Sequence, residues 1–148
     1  MPVIQGVFGP ARPFVPAVIA PSRSSDRQRG TFDASVTGIM LLDSGSELSC
    51  IHETAARQIG LADRGSRQIC GIGGPVHVFQ YRIRLGLIAS AGGKETEIAR
   101  DLLVVEDCSD WPITFAGVVI GIVGMDVLAS MHLLLDGPNK RFALTVAV

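Results

Sequence analysis

Charge, cysteine and long apolar runs are all scarce in this sequence, and each shortage narrows what the chain can be. Only 18% of the 148 residues are Asp, Glu, Lys or Arg, against 47% hydrophobic, a balance that argues against disorder. The formal net charge is −1 and there is no long basic run, so nothing favours nucleic acid or a membrane as a partner. The Arg-rich stretch SRSSDRQRG at 22–30 is short and broken by Asp26, and reads as a solvated loop. Three cysteines, Cys50, Cys70 and Cys108, are an odd number at irregular spacing and make no disulfide framework. With no signal-peptide pattern beside them, they predict a reducing, cytoplasmic setting. The most apolar window, PITFAGVVIGIVGM at 112–125, is too short to span a bilayer and runs into Asp126, so it reads as buried core.

Several chemistries also lack their residues. His52, His77 and His132 are scattered, and Cys50-x-His52 has no further ligands at a metal spacing, so neither a metal nor a cofactor is expected. No G-x-S-x-G is present, which weakens a serine-hydrolase reading. GIGGPV has neither the spacing nor the strand-to-helix setting of a nucleotide loop. Cys70 reads as a small packing residue rather than a reactive thiol. There are no internal repeats and no low-complexity segments.

What remains is rich in turns. Seventeen glycines and eight prolines in so apolar a chain predict many short strands joined by tight turns, in one domain spanning 1–148. Val3–Phe8 and Pro13–Ile19 read as short strands whose prolines suit edges. A polar loop at 22–35 leads into a buried strand, Val36–Leu42. CIHETAARQIGL at 50–61 is the best helix candidate, with Ile51, Ala55 and Ile59 on one face and Gly60 at its end. Phe79, Tyr81, Ile83, Leu85 and Leu87 alternate with polar or small residues, a strand's period of two. This run and RQICGIGGPVHV flank Gly71-Ile72-Gly73-Gly74-Pro75, which predicts a long hairpin with a glycine tip. ASAGGKE is a turn, EIARDLLVVED and GVVIGIVG are strands, and MDVLASM is a short helix. HLLLDGPNKRFALTVAV is a hairpin turning at Asp136–Asn139. The sum is an all-β, barrel-like fold with one or two short helices.

Within it, Asp43 is the residue to explain. The run Ile39-Met40-Leu41-Leu42 ends in Asp43-Ser44-Gly45-Ser46, and an acid at the end of a buried strand is costly unless it is used. Asp, Ser and Gly are all turn formers, so a bare DSG is explained by a turn. The order of the parts is rarer: apolar strand, DSGS, helix, glycine-tipped hairpin, and then GVVIGIVGMDVL. That order resembles the retropepsin-like aspartic peptidases. Leu41-Leu42-Asp43-Ser44-Gly45-Ser46 matches their apolar pair followed by Asp-(Thr/Ser)-Gly-(Ala/Ser). The Ile72-Gly73-Gly74 hairpin looks like their flap, and Ile122-Val123-Gly124-Met125-Asp126-Val127-Leu128 resembles their second apolar-Gly-helix motif. The likeness runs from about Pro13 to Val146.

The resemblance implies a retropepsin-like acid-protease barrel working as a symmetric homodimer on peptide or protein substrates. Hydrolysis would use water activated between two carboxyls that share a proton, the arrangement for which aspartic proteases are the standard illustration. Only one Asp-(Ser/Thr)-Gly is present, so Asp43 would need its twofold mate. Asp43, Ser44 and Gly45 would then be catalytic, with the Ser44 hydroxyl bonding across the dimer. Ser46, Glu47, Gly71, Ile72, Gly73, Gly74, Ile122 and Val123 would bind substrate. On the plain reading the glycine tip is only a turn, and Ile122 and Val123 are only core. Asp126 reads as structural. Ser46, where relatives more often carry Ala, adds a polar group beside the dyad. It leaves open a dimeric peptide-binding or scaffolding module that cuts slowly or not at all. The alternating FALTVAV end and the N-terminal strand are expected to meet at the dimer interface, the alternative being that both pack inside one subunit.

Overall fold

The computed structural model describes residues 3–7, 12–71, 73–91, 94–107 and 117–146. Its longest element, β6 (Gly74–Ala91), shows how the period-two pattern folds. Tyr81, Ile83, Leu85, Leu87 and Ala89 are buried on one face, while Phe79, nearer the tip, stands exposed. β6 pairs antiparallel with β7 (Lys94–Asp107) from Gln80↔Val105 to Ala91↔Lys94, so the ASAGGKE turn joins two long arms.

These arms form part of a closed ring. β2 (Phe14–Ala20) pairs antiparallel with β3 (Val36–Leu42), and β3 runs parallel to β8 (Val119–Val123). β8 then pairs with β4 (Cys50–His52), β4 runs parallel to β7, and β6 returns to β2 between Ala17↔Leu87 and Ala20↔Arg84. Closure removes the free edges that an open sheet would present. It also corrects the edge assignment of the second strand: β2 is paired on both sides. Pro16 is exposed and lies just before the doubly paired residues 17–20, where its missing N–H does no harm.

The segment 50–61 is not one helix. Cys50–His52 is strand β4, held between β7 and β8, and only Glu53–Gln58 forms helix α1. Pairing on both sides outweighs the helical spacing, because a helix here would leave two neighbouring strands short of backbone partners. Ile51, Ala55 and Ile59 are still all buried, as the spacing implied. The His52 side chain caps α1 by accepting from Thr54 N at 3.2 Å. At the other end Gly60 has φ +69°, and the bonds Gly60 N to Arg57 O and Leu61 N to Ala56 O close a Schellman motif.

The Arg-rich loop is solvated but not loose. Arg27 Nη2 donates to Ile59 O at the C-terminus of α1 (3.0 Å), Gln28 N donates to Gly60 O (2.8 Å), and Arg64 pairs with Asp26 (3.3 Å). Phe32 lies over Gly60, where a Cβ would come within 2.3 Å of its ring.

A second sheet closes the end of the barrel. β1 (Val3–Val7) pairs antiparallel with β10 (Arg141–Val146), which pairs with β9 (Met131–Asp136) across the predicted turn. Asp136 Oδ2 accepts from Asn139 Nδ2 at 2.8 Å in that turn. Both terminal strands thus meet inside one chain, the alternative arrangement, with Ile4, Phe142 and Leu144 buried on the core side. Side chains as fully buried as Ile4, Ile83 and Leu144 contribute about 1.5–3 kcal/mol each by leaving water. No helix among the described residues is long and apolar enough to cross a membrane.

Candidate active site

Asp43 follows the last residue of β3, where the barrel opens. Its backbone is fixed from two sides: Asp43 N donates to Val123 O (3.0 Å) and Ser46 N donates to Asp43 O (3.2 Å). Gly45 N donates to Asp43 Oδ1 at 2.9 Å, which orients the carboxylate within its own turn. A Cβ on Gly45 would sit 3.1 Å from the same oxygen, so glycine lets the chain fold closely over the acid. The turn reading and the positioned-acid reading are therefore compatible, since the turn is what aims the carboxylate.

A polar brace behind this turn ties it to the second motif. Ser49 is fully buried; its N donates to Asp126 Oδ2 (2.9 Å) and its hydroxyl to Asp126 Oδ1 (2.7 Å). Gly124 N donates to the Ser49 hydroxyl oxygen at 2.9 Å. Met125 N and Asp126 N, at the start of helix α2 (Met125–Leu128), donate to Ser46 O and Glu47 O at 2.7 and 3.1 Å. Gly124 is required here, because a Cβ would lie 2.6 Å from the Leu48 backbone. Asp126 is structural, as read from sequence. Ser49 escaped that reading, although a lone serine between Leu48 and the apolar Cys50-Ile51 pair was its trace.

In front of Asp43 lies an open groove of about 690 Å³. Asp43, Gly45, Ser46, Glu47 and Leu48 line its floor, Cys50, Val105, Glu106 and Ile122 one wall, and Arg67–Cys70 of strand β5 (Ser66–Gly71) the other. Strand register explains the apolar wall. Cys50 lies opposite both Val105 and Ile122, so the three share the face that meets the groove. Their neighbours Ile51, Val104 and Val123 point the other way and are fully buried. Ile122 lines the groove, while Val123 is buried and adds its carbonyl to the Asp43 backbone.

The other predicted residues fall as follows. Ser44 is exposed beside Asp43, and its hydroxyl makes no hydrogen bond to a described residue. The Ser46 hydroxyl donates to Leu48 O at 2.8 Å, so its polarity is used within the turn. β5 and β6 form the predicted hairpin in a register ending at Gly71↔Gly74, with Gly74 at φ +108°. The hairpin meets the groove through Arg67–Cys70, which sequence reading missed. Ile72 lies outside the described residues, as does Cys108. Cys70 is a free, exposed thiol and not the buried packing residue expected, because it lies on β5 outside the closed ring. Among the described residues no cluster of His, Cys, Asp and Glu could hold a metal. A smaller depression of about 380 Å³, lined by His52, Gln58 and Ile120 among others, contains no carboxylate.

Compared with protein-family profiles and with curated protein sequences, the chain matches none. Among solved structures it is similar to the EIAV protease complexed with the inhibitor HBY-793, at 21% identity and a TM-score of 0.40, over 80% of this chain and 86% of that one. It is also similar to a retropepsin-like aspartic protease from Rickettsia conorii, at 13% identity and a TM-score of 0.47, over 95% and 98% of the two chains. A third likeness is to the retroviral protease-like domain of Ddi1 from Leishmania major, at 19% identity and a TM-score of 0.43, over 91% and 87%.

Proposed function

We propose that the chain is an aspartic endopeptidase, one domain from 1 to 148, that hydrolyses peptide bonds as a homodimer in the cytoplasm without metal or cofactor. The observation that carries the reading is Asp43, whose carboxylate is held by its own turn on the floor of a groove that a β-hairpin borders and that Glu47 and Glu106 also line. An extended peptide fits such a groove, since strands on either side can bond its backbone while side chains enter the apolar wall. One carboxylate cannot act as base and acid at once, so the mate comes from a second copy.

In the reaction, the ionised member of the Asp43 pair takes a proton from water, and the water oxygen bonds to the scissile carbonyl carbon. The protonated member gives its proton to the carbonyl oxygen. Collapse of this tetrahedral adduct breaks the C–N bond, and the amine leaves with a proton returned from the pair. Ser44 and Gly45 complete the catalytic loop, with the Ser44 hydroxyl reaching across the dimer. Ser46, Glu47, Ile122 and the flap tip at Gly71–Gly74, with Ile72, contact substrate, and the tip closes over it to exclude water.

The test compares wild type with Asp43→Asn on a mixed peptide library between acid and neutral pH. Wild type is expected to cleave and the variant to lose roughly 10²–10⁴-fold in rate. Equal cleavage by the two proteins, or none by wild type at any pH, rules the peptidase out.

A further inference from the structure

The groove wall that belongs to β5 carries a cation without a partner. Arg67 lines the groove, is exposed, and forms no ion pair among the described residues. Strand register shows where it stands. Arg67 lies opposite Val78 and Ile69 opposite Val76, so these four side chains share one face of the hairpin. Ile69 and Val78 are half-buried on that face, whereas Ser66, Gln68, Cys70, His77 and Phe79 on the other are all exposed. The face of Ile69 is therefore the one turned to the groove, and Arg67 stands on it. Among the described residues that line the groove Arg67 is the only basic one; the other charged ones, Asp43, Glu47 and Glu106, are all acids.

We propose that Arg67 selects the substrate: the groove takes an extended peptide that sets an Asp or Glu side chain on Arg67 and an apolar side chain, two residues away, on Ile69. The inference rests on the reading of the groove as a peptide site, and it names the class of peptide. An extended chain places every second side chain on one face, about 7 Å apart, and Arg67 and Ile69 repeat at that same spacing along β5. The guanidinium offers a carboxylate two parallel N–H donors, a match that an amide side chain does not make. The apolar side chain leaves water between Ile69 and the facing wall of Cys50, Val105 and Ile122.

The rest of the groove sharpens the choice. An acidic side chain set on the floor meets Asp43 and Glu47, and one set on the far wall meets Glu106. Like charges repel at each of these places, so Arg67 is where an acid in the peptide is accepted. Selection then works by attraction at one position and repulsion at the others. An acid is favoured at a single fixed distance from the bond that is cut.

The test compares wild type, Arg67→Gln and Arg67→Glu on synthetic peptides in which one position at a time is Glu, its uncharged match Gln, or Lys, with folding checked by circular dichroism. At one position wild type is expected to favour Glu over Gln by about threefold to fivefold in kcat/KM, the range of an exposed ion pair. At the other positions Glu should be disfavoured. Arg67→Gln should erase the preference, and Arg67→Glu should invert it in favour of Lys. In the preferred peptide an apolar residue two positions from the Glu should raise kcat/KM over Asn at the same place. A wild type that treats Glu and Gln alike at every position overturns the proposal, as does a preference that Arg67→Glu leaves unchanged, or an apolar preference at another spacing. Binding of the same peptides to Asp43→Asn, with and without Arg67→Glu, is measured in parallel. Arg67-dependent binding of Glu peptides without any cleavage by wild type keeps this selectivity and defeats the peptidase reading. Asp43-dependent cleavage indifferent to Glu does the reverse.

Discussion

Asp43 draws part of its positioning from residues that do not line the groove. Its backbone N–H is held by Val123, and the turn behind it is held by the Ser49–Asp126–Gly124 bonds. Both oxygens of Asp126 are used there, one on the Ser49 hydroxyl and one on its N–H. Removing the hydroxyl leaves the buried Gly124 N without its partner and costs the more exposed Asp126 carboxylate one donor. Ser49→Ala should therefore lower unfolding stability by about 1–3 kcal/mol, read from chemical denaturation. A cost near zero would mean that water replaces the hydroxyl. Asp43 and Ser44 were legible because their motif is local, four consecutive residues after an apolar run. Ser49 was not, because its partners lie 75 and 77 residues away and a lone serine has many uses. Ser46 serves the turn as well as the groove: its hydroxyl donates to Leu48 O while the residue lines the groove.

At the scale of elements, strand pairing decided what spacing could not. The apolar positions of 50–61 fit a helix, yet β7 and β8 claim Cys50–His52 as a strand between them. The buried face survived that change because Ile51 turns inward from the strand just as Ala55 and Ile59 do from the helix. Gly60 ends α1 with φ +69° and has the Phe32 ring where a Cβ would go. Gly60→Ala should then destabilise by about 1–3 kcal/mol and loosen the 22–35 loop, visible as a lower Tm and faster amide exchange at Gln28 and Asp33. Unchanged exchange there would show that Arg27 and Gln58 hold the loop by themselves. The β5–β6 hairpin was legible from its glycines and alternation. Which part of it meets the groove was not: Arg67–Cys70 form one of its walls.

The whole molecule poses the question of number. A single DSG in 148 residues supplies one carboxylate, and the proposed chemistry needs two. If copies exchange freely, mixing wild type with an equal amount of Asp43→Asn leaves roughly a quarter of the dimers with two intact acids, and activity should fall below simple dilution. Activity proportional to wild-type content alone would point to a site complete within one chain. The expected meeting of the two termini did occur, but in cis, as β1 against β10.

By itself the sequence determined the β class, the strand that ends in Asp43, the hairpin and the helix after Gly124. Each of these is written in neighbouring residues, as a period of two or a run closed by turn formers. Only the tertiary structure decided that β2 closes a ring with β6, that Ile122 faces the groove while Val123 is buried, and that a buried serine braces the Asp43 turn. The reason is range. Which face a strand residue presents, and which distant strand accepts its hydrogen bonds, depends on register between segments far apart in the chain. No local pattern of side chains encodes that register.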